Sequence, residues 1–214
     1  GAYTYGTGTL TPLTYVDGSL RYFVNGVLQA TPTPTADAPL TVPGIAVPAG
    51  GNALLIYETR VNSFAPLDTE STVTNTATLS GAGLTTPVQA ASTVNARAAA
   101  YLTIGKAVSP ATVAENGTLT YTFTIQNYGN TAAAETDNVT VSDTFSPILK
   151  AISVTYNGVA WTEGTQYTYN AATGAFATTA GQITVPAASL TRDAATGAVV
   201  VTPGISTLTV TGTV

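Results

Sequence analysis

Acidic side chains cluster at two places in this 214-residue sequence, and each cluster could supply oxygen ligands to a calcium ion. One comprises Glu135, Asp137 and Asp143, and the other lies at residues 68–70. Neither has the alternating acidic loop with a central glycine that marks a calcium motif. The favoured interpretation is that these are solvated loop carboxylates that keep the surface acidic, with calcium binding as the alternative.

The composition removes most other catalytic chemistry. The chain contains no Cys, His or Met, which excludes thiol nucleophiles, imidazole bases, disulfides and most zinc or haem ligation. Its six Lys and Arg residues are scattered, and eleven Asp and Glu residues bring the net charge to −5. This pattern argues against binding to nucleic acid or to an anionic membrane surface. We therefore expect a structural protein and not an enzyme.

The same composition favours an extracellular location. Threonine makes up roughly a fifth of the chain, and charged residues only 8%. Apolar runs such as residues 53–57 are far too short to span a membrane, so no membrane insertion is predicted. Because the sequence does not begin with Met, we expect a processed or partial product, secreted to the cell surface after removal of a leader.

The hydrophobic pattern has a period of two residues almost throughout, which is typical of strands with one buried face. It is clearest at residues 118–127. Turn dipeptides such as Asn25-Gly26 and Asn157-Gly158 separate such runs, and they suit two-residue hairpins because both residues accept positive φ. Short strands at this spacing predict an all-β fold of Ig-like antiparallel sandwiches. The residues expected to face the core in the clearest strand are Leu119, Tyr121, Phe123 and Ile125.

Three segments recur in the same order in the two halves of the chain. Residues 19–27 resemble 152–159, residues 43–49 resemble 180–187, and residues 52–61 resemble 206–214. We infer two copies of one β-domain, spanning residues 1–100 and 101–214.

The two copies begin and end at different strands of the domain. About fifty residues precede the hairpin strand of the second copy, enough for three strands, whereas fewer than about twenty precede it in the first. The first copy continues through a strand at residues 73–79 that has no counterpart in the second. We therefore expect the first domain to lack its first strands and the second its last strand. Such domains expose an unpaired edge and can be completed by a strand from a neighbour.

The second half also carries a longer motif. It runs Lys106-x-x-x-Pro110, then Gly117 before the strand that contains Tyr121, then Asn127-x-Gly129, and then Val139-x-Val141-x-Asp143. This pattern resembles the conserved repeat domain of unknown function found in bacterial cell-surface proteins, and residues 73–79 resemble the closing strand of that family. The resemblance implies tandem Ig-like sandwiches in secreted or wall-associated proteins and fibrous assemblies. It implies no enzymatic activity and supplies no catalytic residues.

Lys106 lies in the opening strand of that motif. Some Ig-like surface proteins form an intramolecular Lys–Asn amide bond from this strand, assisted by a nearby acid, and Asn75 in the closing-strand motif is the matching type of partner. A lysine on an exposed strand edge also discourages unwanted pairing. This second role is the favoured interpretation, and Lys106 is kept as a candidate isopeptide lysine.

The aromatic residues allow two interpretations. Tyr3 and Tyr5, like Tyr167 and Tyr169, alternate at strand spacing, and Trp161 follows the Asn157-Gly158 turn. Exposed rings of this kind could form a sugar-binding platform. Packing across strands and burial in an interface are favoured, because tyrosine suits both a sheet face and an interface.

The leading hypothesis is a structural subunit of an extracellular bacterial filament or surface layer that assembles head to tail with copies of itself by β-strand complementation. Residues 2–10 and 208–214 are the expected junction strands. Two alternatives remain open, namely the stalk or spacer repeats of a cell-surface adhesin and a carbohydrate-binding module. No cofactor is expected, and calcium binding is kept only as the alternative interpretation of the acidic residues. The predicted interface residues are Tyr3, Tyr5, Leu10, Leu208, Val210 and Val214.

Overall fold

The fold is made almost entirely of β-strands. The structure, a computed structural model, describes residues 3–5, 8–35 and 38–214, with side chains from residue 8 onward. Strands make up 47% of the chain and helix 1%, and they form antiparallel sheets, which confirms the predicted all-β class. The chain divides into two units, the first comprising residues 1–96 and 192–200 and the second residues 97–191 and 201–214.

The first unit is built from short strands in small sheets. β1 pairs with β2, β3 pairs with β7, β8 pairs with β9, and the remaining three strands form a sheet in the order β5-β4-β6. The bounds are β1 (Tyr3–Tyr5), β2 (Gly8–Leu10), β3 (Leu13–Tyr15), β4 (Arg21–Val24), β5 (Val27–Leu28), β6 (Ala53–Ile56), β7 (Thr59–Val61), β8 (Thr72–Leu79) and β9 (Val88–Asn95).

The first unit has a small core. Among its described side chains, the buried apolar ones are Pro12, Leu20, Tyr22 and Ala65. The Tyr22 hydroxyl donates to the carbonyl of Ala46 at 2.8 Å and accepts from the amide of the same residue at 3.0 Å. This pair of bonds holds the loop at residues 43–49 against β4.

The second unit contains a five-stranded sheet in the order β10-β11-β19-β13-β14 and a three-stranded sheet in the order β12-β16-β15. A hairpin of β17 and β18 follows, and its tip, residues 192–200, is counted with the first unit. One 3₁₀ turn lies at Glu135–Asp137. The bounds are β10 (Leu102–Ser109), β11 (Thr118–Asn127), β12 (Ser142–Thr144), β13 (Lys150–Tyr156), β14 (Val159–Trp161), β15 (Tyr167–Asn170), β16 (Ala175–Thr178), β17 (Ser189–Arg192), β18 (Val199–Thr202) and β19 (Gly204–Thr213).

The two larger sheets of the second unit pack face to face as a sandwich. The Phe145 ring lies between them, with its centroid 4.8 Å from that of Tyr121 on β11 and 5.7 Å from that of Phe176 on β16. Burying apolar surface in this way contributes roughly 25 cal/mol per Å². The four alternating β11 residues predicted to face the core are all buried: Leu119, Tyr121, Phe123 and Ile125.

The Asn25-Gly26 and Asn157-Gly158 turns have the same geometry. Asn25 and Asn157 both have a φ of 49°, and the glycines that follow have φ of 79° and 80°. In the first unit the asparagine side-chain oxygen accepts from the amide of Asn52 at 2.9 Å. In the second it accepts from the amide of Thr207 at 2.8 Å. Each turn therefore fixes the register of the strand that pairs beside it, β6 in one unit and β19 in the other.

Candidate assembly surfaces

The longest hairpin of the first unit, formed by β8 and β9, has an apolar face and a polar face. Its register places Val73 opposite Val94 and Leu79 opposite Val88. Because successive side chains of a strand point to opposite faces, these residues share one side and most of the threonines lie on the other. We call the hairpin the ribbon. Its apolar face comprises Val73, Ala77, Leu79, Val88, Ala90 and Val94, and the polar pair Asn75 and Ser92 lies on the same side.

Most of the apolar face of the ribbon is open to solvent, although Val73 is half-buried. Leu79 is 50% exposed, Val88 55% and Val94 64%. Among the strands that the structure describes, β8 and β9 pair only with each other. A sheet with one apolar face normally packs that face on a core, and a lone two-stranded hairpin is only marginally stable. Within the described residues, the ribbon is thus an element whose apolar face is largely uncovered.

The ribbon also lacks the usual protection of sheet edges. Neither β8 nor β9 contains a charged residue. Native edge strands are commonly blocked by lysine or another charge, because their free amides and carbonyls can pair with another chain. The ribbon therefore combines an exposed apolar face with unprotected edges.

The second candidate surface is the free edge of β6. This strand is last in the order β5-β4-β6, so one of its sides has no neighbour among the described strands. In the second unit, β19 pairs with β13 as β6 pairs with β4, since Val24 lies opposite Ala53 and Tyr156 opposite Leu208. However, β19 has β11 on its other side, and β10 lies beyond β11. Where the second unit has two further strands, the first unit has an open edge.

The side chains of β6 are apolar on both faces. Leu54 and Ile56 are 53% and 50% exposed, whereas the matching positions of β19 are the threonines Thr209 and Thr211. A strand that is apolar on both faces is typical of a sheet that is covered on both sides. The outer face of β6 and its free edge together form a surface suited to contact with protein.

The C-terminal residues predicted to form a junction lie inside the second unit. Leu208 and Val210 are completely buried, and their strand β19 is bonded on both sides, to β11 and to β13. Val214 is half-buried, and its amide donates to the carbonyl of Gly117 at 3.1 Å. Leu208 and Val210 therefore have no exposed surface for contact with a neighbouring copy, because they form part of the core of their own sandwich.

The N-terminal junction residues are only partly within the described chain. Leu10 is half-buried on β2, opposite Tyr3 of β1. The side chains of Tyr3 and Tyr5 lie outside the described residues. The expectation that they contact a neighbour therefore stays a prediction.

Lys106 faces an aspartate within its own unit. Its Nζ contacts Oδ2 of Asp143, and it lies 4.8 Å from the ring centroid of Tyr121 and 5.7 Å from those of Phe123 and Phe145. Asn75, the partner suggested by the sequence, belongs to the first unit, where its amide donates to the Tyr57 hydroxyl at 3.4 Å. The group in contact with Lys106 is thus a carboxylate and not an amide.

The three acidic residues proposed as calcium ligands do not form one cluster. Asp137 lies in the 3₁₀ turn with Glu135, and its carboxylate accepts from the amide of Ala134 at 2.8 Å. Asp143 lies on β12 against Lys106. In the described part of the chain, no group of three or more His, Cys, Asp or Glu residues could hold a metal ion.

The aromatic residues considered as a sugar platform are mostly engaged in packing. Trp161 is half-buried and stacks on Tyr156, with centroids 4.9 Å apart. Tyr167 is buried against Phe176. The hydroxyl of Tyr169 donates to the carbonyl of Leu149 at 2.7 Å and so joins β15 to the start of β13. These contacts show that the three rings pack across strands and between sheets.

Two of these features were not identified from the sequence. Residues 73–79 were predicted as a strand, but their partner β9 was not, although Val88, Ala90 and Val94 follow the same period-two pattern. Asp143 was interpreted as a solvated loop carboxylate, with calcium binding as the alternative. Its pairing with Lys106 depends on two strands from different sheets lying side by side.

The comparisons with known proteins found no match for the chain. No family model matches it, and neither the curated proteins nor the solved structures include a significant match. Among the described residues, no helix has the length and apolar character needed to cross a membrane.

Proposed function

We propose that this chain is a structural subunit of an extracellular fibre or surface layer, in which copies join head to tail by β-strand complementation. The ribbon of one copy lies beside β6 of the next and supplies the two strands that β11 and β10 supply to β19 in the second unit. The observation that carries this proposal is the coexistence, in one chain, of an unpaired amphipathic ribbon and an open apolar sheet edge.

The chemistry of the two surfaces is complementary. The ribbon brings backbone amides and carbonyls to the free edge of β6, and neither surface strand carries a charge that would oppose the pairing. Each large aliphatic side chain that passes from water into such a contact contributes about 1.5–3 kcal/mol. Leu79, Val88 and Val94 are exposed in the free chain and would be the main contributors.

The geometry of this pairing favours a polymer over a closed dimer. The donor surface and the acceptor surface are different parts of the chain, so the contact is heterologous, and a heterologous contact that does not close into a ring propagates as a filament. The matched Asn-Gly turns support the view that the first unit is a shortened version of the second. The resemblance to the conserved repeat family and the threonine-rich, weakly charged composition support the extracellular location.

A pair of lysine substitutions on the ribbon tests the proposal. Ala77→Lys places a charge on the apolar face, and Thr76→Lys places the same charge one residue away on the polar face. Both positions are exposed in the free chain, so neither change should unfold it. We expect sedimentation velocity to show concentration-dependent assembly of the unmodified chain and of Thr76→Lys, with at least about tenfold weaker association for Ala77→Lys, because a lysine is costly to bury.

Two outcomes would contradict the proposal. If all three proteins remain monomers at every concentration, the chain is better described as a spacer repeat of a cell-surface stalk. If the two lysines weaken assembly equally, the apolar face of the ribbon is not the surface that is buried.

A further inference from the structure

We infer that Lys106 and Asp143 are a site of covalent cross-linking, where the lysine Nζ and the aspartate carboxyl carbon become joined by an amide bond. This inference concerns the second unit alone and does not depend on whether copies of the chain assemble.

The two side chains bridge the matching edges of two sheets. Lys106 lies on β10, the edge strand of the five-stranded sheet, and Asp143 lies on β12, the edge strand of the three-stranded sheet. These two strands are held to their own sheets by backbone bonds, through β11 and β16. A bond between the side chains would therefore link the two sheets covalently at this edge of the sandwich.

The reacting atoms are already in contact. Lys106 Nζ touches Asp143 Oδ2, so the neighbouring carboxyl carbon is within reach of the nitrogen. The other carboxylate oxygen, Oδ1, accepts from the amide of Thr144 at 2.9 Å, which fixes the orientation of the group. Holding two reactants in one geometry removes much of the entropic barrier to their reaction.

The two charged groups meet beside a cluster of aromatic rings, where the Asp143 side chain is 18% exposed and that of Lys106 42%. Oδ2 of Asp143 is shielded from solvent and, within the described chain, accepts no other hydrogen bond. The ammonium group lies among the rings of Tyr121, Phe123 and Phe145. Transfer of one proton from the ammonium to the carboxylate leaves an amine and a carboxylic acid.

Condensation of the amine with the carboxylic acid then needs no further reactant. The amine lone pair attacks the carboxyl carbon and forms a C–N bond, and the bond between that carbon and one carboxyl oxygen breaks. The departing hydroxyl takes one proton from the nitrogen and leaves as water. One hydrogen stays on the amide nitrogen, and no atom is oxidised or reduced.

Mass spectrometry of the purified chain tests the inference. We expect the intact mass to be lower than the sequence value by about 18 Da, the mass of one water. Proteolysis should release a branched peptide in which Lys106 is joined to Asp143. Lys106→Arg keeps a positive charge but lacks the amine, so it should fold, show the full sequence mass and yield no branched peptide.

Two results would overturn the inference. One is an unmodified chain at its full mass, with Lys106 and Asp143 recovered in separate peptides. The other is a loss of water that persists in Lys106→Arg, since this would place the dehydration elsewhere, for example at an Asp-Gly sequence.

Discussion

Asn127 shows how a single buried amide organises the second unit. Its side chain is 0% exposed, and its oxygen accepts from the amides of Tyr101 and Gly129, each at 2.9 Å. Its amide group donates to the carbonyls of Thr131 at 2.8 Å and Pro186 at 3.0 Å. These bonds join the approach to β10, the turn after β11 and the segment before β17. Buried polar groups of this kind are stabilising only when all their partners are present.

Replacing this residue should be far more costly than replacing an exposed asparagine. We expect Asn127→Ala to lower the free energy of unfolding by about 3 kcal/mol, because two buried amides and two carbonyls lose their partner. Asn95→Ala, at the exposed end of the ribbon, is the matched control and should change it by less than about 0.5 kcal/mol. Urea unfolding followed by tryptophan fluorescence measures both, and equal effects would mean that the network adds nothing to stability.

Tyr156 links the stability of the second unit to alkaline pH. Burial raises the pKa of its hydroxyl, which donates to the carbonyl of Thr184 at 2.6 Å. The unfolded chain therefore ionises this tyrosine first. The contribution to stability is complete below the unfolded pKa of about 10 and is lost as the pH rises through the higher folded pKa.

We therefore expect the urea midpoint to be steady between about pH 7 and 9 and to fall above about pH 10. Tyr156→Phe should be slightly less stable at neutral pH, because it lacks the hydrogen bond, and should show a shallower alkaline fall. Tyr101→Phe, at an exposed residue, serves as the control. An identical alkaline fall in all three proteins would show that Tyr156 is not responsible.

At this scale the sequence predicts faces but not partners. The alternation along β11 correctly placed Leu119, Tyr121, Phe123 and Ile125 in the core. Asn127 continues the same buried face, yet its partners come from residues 101, 129, 131 and 186, which no local pattern brings together. Lys106 and Asp143 meet for the same reason, since only the stacking of two sheets puts their strands side by side.

At the scale of elements, the hairpins could be predicted from the sequence, but the strands with unpaired edges could be predicted only in part. The Asn25-Gly26 and Asn157-Gly158 turns have the positive φ that their sequences indicate, and they connect β4 to β5 and β13 to β14. The strand at residues 73–79 was also predicted, and it is β8. The pattern could not show whether the apolar face of a strand is covered. Period-two alternation is the same in a strand that packs on a core and in one whose apolar face is exposed to solvent.

Hydrogen exchange separates the covered strands from the uncovered ones. In the dissociated chain we expect the amides of β11 and β19 to exchange slowly, because both strands are central in their sheet and carry buried side chains. The ribbon amides should exchange much faster, since its faces are exposed. On assembly the ribbon and β6 should gain protection together, while β11 and β19 stay as they were. Protection gained at β19 instead would favour the C-terminal segment as the junction.

At the scale of the whole chain, the two units differ sharply in how much they bury. The described part of the first unit has Pro12, Leu20, Tyr22 and Ala65 as buried apolar residues, whereas the second has a continuous core. The first unit also exposes Val27, Leu54 and Val61. A domain of this size with so small a core is expected to be marginal by itself. The proposed completion by a second copy would stabilise such a domain.

The measurement that bears most directly on this account is electron microscopy of the purified chain mixed with increasing amounts of Ala77→Lys. The unmodified chain should form filaments. The variant retains β6 as an acceptor but has an impaired donor ribbon, so it should cap growing ends and shorten the filaments in proportion to its share of the mixture. Separate, unassembled particles in the unmodified sample, or filaments whose length does not respond to the variant, would contradict strand complementation by the ribbon.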